Sequence, residues 1–320
     1  MTSQQLFEIA RRTFDAPEFR GIECIEVEAR SIINRVAGGM PFDWTINPYR
    51  GCTHACVYCF ARPTHTYLDM GAGKDFETKI VVKVNAPDVL RRELAAKRWK
   101  GEPIAMGTGT DPYQRVEGRY RLMRGIIEAL IDHRNPFSIL TKGTLITRDL
   151  DLLVRAAEHA SVSAAFSIGT LDERVWRDTE PGTPSPKARI EAVRTLVDAG
   201  IATGVLMAPV LPGISDRSEQ LRAVVEAAID AGASHVSPIM LHLRPGVREE
   251  FLPWLREAHP DLVGRYEELY RTPYGPKRDR DQLSKRVGAL TRGRTTGMSS
   301  FRRSASTARR ETPPEQPQLW

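Results

Sequence analysis

The sequence IAMGTGTDPYQRVEGRYRLMRGIIEAL occupies residues 104–130 and passes from a short apolar run through two glycines into an amphipathic pattern. The run Ile104–Met106 predicts a strand. Leu122, Ile126 and Leu130 then recur at helical spacing, which predicts a helix packed by one face. A strand followed by a turn and a helix is the repeating unit of a parallel sheet.

The same order recurs on both sides of this stretch. Further strands are predicted at Thr45–Asn47, Phe137–Leu140, Val162–Phe166, Thr203–Leu206 and His235–Met240. Six strand–helix units are too few for a closed eight-stranded barrel, so the sequence predicts an α/β fold with a partial, open (β/α)6 barrel. A strand at Ile80–Val84 and its helix at Pro87–Ala96 are predicted as an insertion beside the main sheet. The functional site is expected at the carboxyl ends of the strands.

Two helix ends are predicted from local signals. Gly200 is placed to end the helix that contains Ile190, Val193 and Val197. Asp216 and Glu219 have the spacing of a capping box, which predicts that the next helix begins there.

Composition divides the chain into four predicted regions. Residues 1–40 are expected to wrap the core, 41–260 to form the barrel, 261–298 to form a helical C-terminal extension, and 299–320 to be a disordered basic tail. The net charge is +6, but residues 276–320 hold eleven Lys or Arg and four Asp or Glu, which leaves −1 for residues 1–275. The net charge therefore does not imply a basic face on the folded body.

Several classes of protein are disfavoured by the sequence. No apolar run approaches the roughly 18 residues of a membrane span, and the start lacks the order of a signal peptide. Four cysteines, three of them within eight positions, do not make a disulfide framework. We therefore expect a cytoplasmic protein without a membrane partner, and the oligomeric state stays open.

Three cysteines are clustered in residues 47–60, NPYRGCTHACVYCF, as Cys52, Cys56 and Cys59. Thiols spaced C-x3-C-x2-C can surround one soft-metal centre. Three thiolates leave one position of a cubane iron–sulfur cluster open for a substrate or cofactor. The spacing favours an iron–sulfur cluster. A structural zinc site and the absence of any metal remain the alternatives. Zinc would take its fourth ligand from His54, His65 or Cys24.

This segment, with Tyr58 before the third cysteine, resembles the signature of the radical S-adenosylmethionine (SAM) enzymes, in the branch around spore photoproduct lyase. The resemblance also covers GTGTDPYQ, LTKGTLITRDLDLL, SIGTLDERVWRDTEPGTPSP and GVLMAPVLPGISD, in order from Asn47 to Asp216, and continues loosely to about residue 290. It implies a partial barrel of the radical SAM type.

The resemblance also implies the chemistry. Cys52, Cys56 and Cys59 would hold a [4Fe-4S] cluster, and SAM would chelate the fourth iron. The reduced cluster would cleave SAM to methionine and a 5′-deoxyadenosyl radical, which abstracts hydrogen from a substrate. An electron donor such as ferredoxin or flavodoxin would be required.

Residues at three strand ends are candidates for binding SAM. Gly107, Thr108, Gly109 and Thr110 match the segment that contacts the SAM amino group in the family, and glycines allow a ligand to approach the backbone. Lys142 matches a residue that pairs with the SAM carboxylate, and Ser167 matches one that contacts SAM. The alternatives are a tight turn capped by Asp111, a solvated lysine and an ordinary strand-ending serine.

The substrate is not determined by the resemblance. Spore photoproduct lyase repairs a thymine dimer in DNA with a hydrogen-donating cysteine, and Thr108 occupies the corresponding position here. Three hypotheses follow: a radical SAM enzyme of unknown substrate and subclass, a nucleic-acid repair or modification enzyme of the same chemistry, and a non-catalytic, metal-stabilised binding protein. No catalytic residue is assigned.

Overall fold

The computed structural model describes residues 6–36 and 40–295, and the predicted tail, residues 299–320, lies outside them. Eleven strands occur in these ranges: β1 Leu6–Arg12, β2 Glu23–Ala29, β3 Ile33–Arg35, β4 Trp44–Ile46, β5 Tyr49–Arg50, β6 Lys79–Lys83, β7 Ile104–Met106, β8 Phe137–Thr141, β9 Val162–Ser167, β10 Ala202–Val210 and β11 Val236–Met240.

The described residues also form eleven α-helices and four 3-10 helices. The α-helices are α1 Lys74–Thr78, α2 Ala86–Leu94, α3 Glu117–Tyr120, α4 Leu122–Asp132, α5 Leu150–Ala157, α6 Glu173–Thr179, α7 Pro186–Asp198, α8 Ser218–Asp230, α9 Arg248–Ala258, α10 Val263–Leu269 and α11 Lys277–Thr291. The 3-10 helices are Pro17–Phe19, Arg62–Leu68, Thr144–Asp149 and Pro260–Leu262. Within residues 6–36 and 40–295, no helix has both the length and the apolar character needed to cross a bilayer.

The larger sheet has the strand order β11-β10-β9-β8-β7-β4-β3. Its strands β4 and β7 to β11 are parallel and correspond to the six predicted strands, while β3 joins the edge antiparallel to β4. In the described residues its two edges are not hydrogen-bonded to each other. The structure therefore confirms the predicted α/β fold with an open sheet of six parallel strands.

A smaller mixed sheet lies beside the first, in the order β1-β2-β6-β5. Its strand β6 is the one predicted as an insertion, and it pairs in parallel with β2 near the start of the chain. The N-terminal segment thus supplies strands to this second sheet. The domain boundaries stay a prediction, although α11 packs against β11 and α8 of the main fold.

The helices pack by the apolar stripes that the sequence indicates. Leu122, Ile126 and Leu130 of α4 are all buried. Gly200 ends α7 as predicted, with a φ of 82° that L-residues rarely adopt. The predicted cap of α8 is wrong by one residue, because Asp216 accepts a hydrogen bond from Gly213 at 2.8 Å and the helix begins at Ser218.

The segment after the cysteines lies against the segment after β11. A Cβ added to Gly246 would be 2.7 Å from Cγ of Pro63, and one added to Gly73 would be 2.9 Å from a carboxylate oxygen of Glu250. Residues 62–73, which follow β4 and β5, therefore contact residues 246–250, which follow β11.

Gly107 is required where β7 ends. Its φ is 88°, and a Cβ there would be 1.8 Å from the backbone oxygen of Leu140. We expect Gly107→Ala to lower the free energy of unfolding by about 2 to 6 kcal/mol through backbone strain and overpacking. The control is Gly288→Ala on α11, where nothing lies within 4 Å and alanine should add ~0.5 to 1 kcal/mol. Urea unfolding measures the free energy of unfolding of both variants. Equal effects of the two substitutions would contradict the requirement for glycine at position 107.

Candidate functional site

The cysteines lie in a loop that follows β4 and β5. Cys52 and Cys56 are buried, Cys59 is half-buried, and all three thiols are free. The loop turns twice, with the Ala55 amide donating to the Cys52 carbonyl at 3.3 Å and the Cys59 amide donating to the Cys56 carbonyl at 3.2 Å. Ala55 adopts a left-handed conformation, with φ 53°, between the two turns. The short spacing thus places the three thiols within one compact loop.

The glycine-rich turn after β7 holds this loop in place. The Thr110 hydroxyl donates to the Gly51 carbonyl at 2.7 Å, and Nε2 of Gln114 donates to the same oxygen at 3.0 Å. Oε1 of Gln114 accepts from the Thr53 amide at 2.9 Å. Gln114 is fully buried, and its role was missed because no local pattern marks a glutamine that bonds a loop 60 residues away.

The other residues of the turn bond to the end of β4. The Gly109 amide donates to Oδ1 of Asn47 at 3.0 Å, and the hydroxyls of Thr108 and Thr45 lie 2.6 Å apart. Thr108 therefore bonds within the protein.

Burial sets the protonation of the thiols. It raises the pKa of Cys52, and Asp111 and the other two thiols raise it further. Burial likewise raises the pKa of Cys56, with Glu180 adding to the effect and Lys142 opposing it. Thiolates bound to iron would need the positive charge that iron supplies, so loading a cluster would release protons.

The donor set suits a cluster better than a single metal ion. In the part of the chain that the structure describes, no three His, Cys, Asp or Glu side chains converge on a point that could hold one ion. Zinc requires all its ligands around one centre, whereas each thiolate of a cubane binds a different iron. His54 faces Asp111 at 3.3 Å, His65 bonds the Lys79 carbonyl at 3.1 Å, and Cys24 is buried in β2.

Lys142 and Ser167, predicted from separate strand ends, lie together. Nζ of Lys142 donates to the Ser167 hydroxyl at 2.5 Å and to the Ala208 carbonyl at 3.3 Å. It also lies 3.5 Å from Oε1 of Glu180 and over the ring of Tyr58, 5.6 Å from its centre. Lys142 is therefore mostly buried and ion-paired, which excludes the alternative of a solvated lysine.

Glu180 is the centre of a buried network that the sequence did not reveal. Its carboxylate accepts hydrogen bonds from the Tyr58 hydroxyl and from Nη2 of Arg189. Nη1 of Arg189 donates to the Ser167 carbonyl at 2.7 Å. Burial opposes ionisation of Glu180, but Arg189 and Lys142 outweigh it and lower its pKa to about 2. The stretch 180–186 is rich in proline, but no local pattern marks Glu180 or Arg189 as members of a network.

Asp111 joins the turn to the next strand. It accepts hydrogen bonds from the Thr141 hydroxyl at 2.6 Å, the Lys142 amide at 2.6 Å and the Tyr113 amide at 2.9 Å. Burial opposes its ionisation, but His54 and these hydrogen bonds hold the pKa of Asp111 below its usual range. Asp111 is thus a fixed anion that positions the backbone beside Lys142, as well as a cap for its own turn.

These observations place the cysteine loop, the glycine-rich turn, a buried lysine and a serine at the carboxyl ends of four adjacent parallel strands. The sequence-family model of the radical SAM superfamily matches residues 46–225, a range that contains all four of these features. The chain belongs to the radical SAM superfamily. As a member it is an enzyme whose cofactors are a [4Fe-4S] cluster and SAM. The predictions of a radical SAM enzyme and of its two cofactors are therefore confirmed, and the hypothesis of a non-catalytic binding protein is set aside.

Similar proteins agree with this assignment. An uncharacterised protein of Mycobacterium tuberculosis is 50% identical over 282 residues, which is 87% of this chain and 83% of that protein. The radical SAM Nα-GlyT isomerase of Pseudomonas phage M6 is 28% identical over 191 residues, covering 59% of this chain and 37% of the isomerase. The structure of spore photoproduct lyase complexed with dinucleoside spore photoproduct has a TM-score of 0.65 at 16% identity, over 88% of this chain and 83% of that one. This last likeness confirms the fold.

The low pKa of Glu180 predicts how stability depends on pH. A carboxylate whose folded pKa is depressed stabilises the fold above its unfolded pKa, and this contribution is lost as the pH falls from about 5 towards 2. We expect Glu180→Gln to flatten the stability profile across that range. Urea unfolding of the cluster-free protein from pH 7 to pH 3 measures it. Glu191→Gln, an exposed surface pair with Arg194, should follow the parent, and an unchanged profile in Glu180→Gln would refute the ionised network.

Proposed function

We propose that Cys52, Cys56 and Cys59 hold the [4Fe-4S] cluster and that the adjacent strand ends hold SAM for reductive cleavage. The observation that carries this proposal is the compact loop of three free thiols beside the buried Lys142. When bound, the two cofactors would supply the chemistry: an electron from the reduced cluster would cleave a C–S bond of SAM to give methionine and a 5′-deoxyadenosyl radical. This chain binds, orients and shields the reactants.

Lys142 is the group that orients SAM in this proposal. Its ammonium already pairs with one carboxylate, that of Glu180, at 3.5 Å. The carboxylate of SAM would share or replace that contact, and the Ser167 hydroxyl, which donates to the Ala208 carbonyl at 2.7 Å, would keep the lysine aligned. Glu180 would retain Arg189 and Tyr58 as partners, so no buried charge would be left unpaired.

Water exclusion follows from the same residues. Tyr58, Glu180 and Arg189 are all buried, and their mutual hydrogen bonds close the inner side of the cysteine loop. A site of low polarity strengthens the ionic contacts of a charged ligand. It also keeps solvent away from a reactive species.

The cluster ligands are tested by single substitutions. We expect Cys52→Ala, Cys56→Ala and Cys59→Ala each to lose the iron and sulfide of the anaerobically reconstituted protein. Cys24→Ala is the matched control, since Cys24 is equally buried but lies in β2, where its partner is Tyr120. Iron and sulfide analysis decides the matter. Loss of iron in Cys24→Ala would make it a fourth ligand and contradict an open coordination position.

The SAM site is tested at Lys142. We expect Lys142→Ala to retain iron and to bind SAM roughly ten- to hundredfold more weakly, which corresponds to a charge-assisted hydrogen bond of about 1.5–3 kcal/mol. Lys187→Ala, an exposed lysine on α7, is the control. Titration of SAM into each reduced protein, followed by electron paramagnetic resonance, gives the affinities. Parental affinity in Lys142→Ala would remove the lysine from the cofactor site.

For the substrate we propose a nucleic acid, on the strength of a cluster at the carboxyl end of β11. Nη2 of Arg244 donates to the Tyr274 hydroxyl at 2.6 Å, and its guanidinium lies 5.5 Å from the centre of that ring. The His242 ring packs edge-on at 4.7 Å. Tyr274 stays 39% exposed and Arg244 is exposed, so part of an aromatic ring and a cation are accessible together. Such pairs bind bases and phosphates together.

This substrate class predicts a local loss of affinity. We expect Tyr274→Leu and Arg244→Ala each to weaken binding of a single-stranded oligonucleotide by roughly five- to a hundredfold, the effect of one stacking contact. Arg222→Ala, an exposed position on α8, should leave binding unchanged. Fluorescence anisotropy at one fixed salt concentration measures the three variants. Equal binding in all of them would exclude this surface, while SAM cleavage would be unaffected.

A further inference from the structure

A concave surface lies beside the cysteine loop, next to the N-terminal segment. It is a cavity of about 550 Å³ between the N-terminal segment, the turn after β7, the beginning of the 144–149 helix and the loop 181–184. Its lining includes His54, Arg115 and Arg119, but none of Gly107–Thr110, Lys142 or Ser167. The surface therefore shares no lining residue with the proposed SAM site.

The floor of this cleft is in contact with a cluster cysteine. His54 is buried and lines the cleft, and its carbonyl accepts from Sγ of Cys56 at 3.9 Å. The same carbonyl accepts from the Gly182 amide at 3.0 Å. A Cβ on Gly182 would lie 2.1 Å from the Thr53 carbonyl, so the loop packs tightly there. One residue thus separates the cleft from the thiol of Cys56.

The rim of the cleft is basic and rigid. The guanidinium of Arg119 lies over the rings of Phe14 and Phe19, 5.5 and 5.2 Å from their centres. Arg115 donates to the Glu18 carbonyl, and Arg119 lies 3.9 Å from the carboxylate of Glu18. Two arginines against one glutamate leave a net positive rim, although residues 1–275 as a whole are close to neutral.

We propose that this cleft is the docking site of an acidic electron-transfer protein, which reduces the cluster through the His54–Cys56 contact. The inference rests on the proposed cluster ligands. In the step itself the donor loses one electron and the cluster gains one, and no bond forms or breaks. Acidic groups around the donor's redox centre complement the arginines, and the concave cleft receives a convex partner.

Docking here solves a problem of access. In the proposed arrangement SAM contacts Lys142, Ser167 and the segment 107–110, none of which lines the cleft. A donor that approached those residues would compete with SAM. The cleft offers a separate approach, and the contact between His54 and Cys56 makes it a short one.

The test compares a protein donor with a small cationic reductant. The parent, the double variant Arg115→Glu/Arg119→Glu and Glu18→Gln are loaded with iron and sulfide, and reduction of the cluster is followed after mixing with reduced acidic flavodoxin. We expect the double variant to be reduced at least tenfold more slowly and to lose the salt dependence of the rate. Glu18→Gln removes a negative charge from the rim and should be reduced faster than the parent.

The control reductant is reduced methyl viologen, a small cation that needs no docking surface. It should reduce all the proteins at rates not slowed by the substitutions, and SAM cleavage with it should stay parental. Arg222→Glu on α8 is the control for charge and should match the parent with flavodoxin. Unchanged flavodoxin rates in the double variant, or no reduction of the parent by flavodoxin, would overturn the docking site. Failure of the parent protein to load a cluster would instead refute the proposed ligands.

Discussion

The ionised carboxylate of Glu180, buried with Arg189 and Lys142, is the interaction on which the site depends. A buried charge is tolerated only when its partners are fixed around it, so each partner is also held in one position. Arg189 extends this constraint to the end of β9 through the Ser167 carbonyl, and Lys142 extends it to β10 through the Ala208 carbonyl. Three neighbouring strand ends are therefore aligned by one anion, and Tyr58 couples the cysteine loop to the same group.

The loop is also held by contacts from the turn after β7. Gln114 and Thr110 both donate to the Gly51 carbonyl, and Asp111 bonds His54 in the loop and the Lys142 amide on the next strand. The cysteines thus lie between an ionic network inside the barrel and an amide network at the turn after β7. Such preorganisation would let the three thiols bind the proposed cluster without further ordering of the backbone.

How much of this the sequence predicts depends on the range of each interaction. The strands and helices follow from patterns within about ten residues, which is why the six parallel strands and the end of α7 at Gly200 were predicted correctly. The predicted cap of α8 was wrong because the Asp216 carboxylate accepts a hydrogen bond from the Gly213 amide. Local spacing does not distinguish this bond from a bond to the first turn of the helix. The spacing of the three cysteines predicts their common site. No such spacing marks Gln114 and Arg189, because their partners are distant in the chain and lie beside them only after the sheet has formed.

The cysteine loop contacts both groups of residues to which a role has been proposed. His54 of the loop lines the arginine-rimmed cleft, and Lys142 lowers the pKa of the Cys56 thiol against the effect of burial. Cys56 is influenced by both groups, since Lys142 acts on its thiol and the His54 carbonyl contacts its sulfur. An electron arriving from the cleft would therefore not displace SAM, and SAM would not block the donor. In the proposed arrangement the donor and SAM would contact different residues around the same three cysteines, so reduction and SAM binding would not compete for one set of contacts.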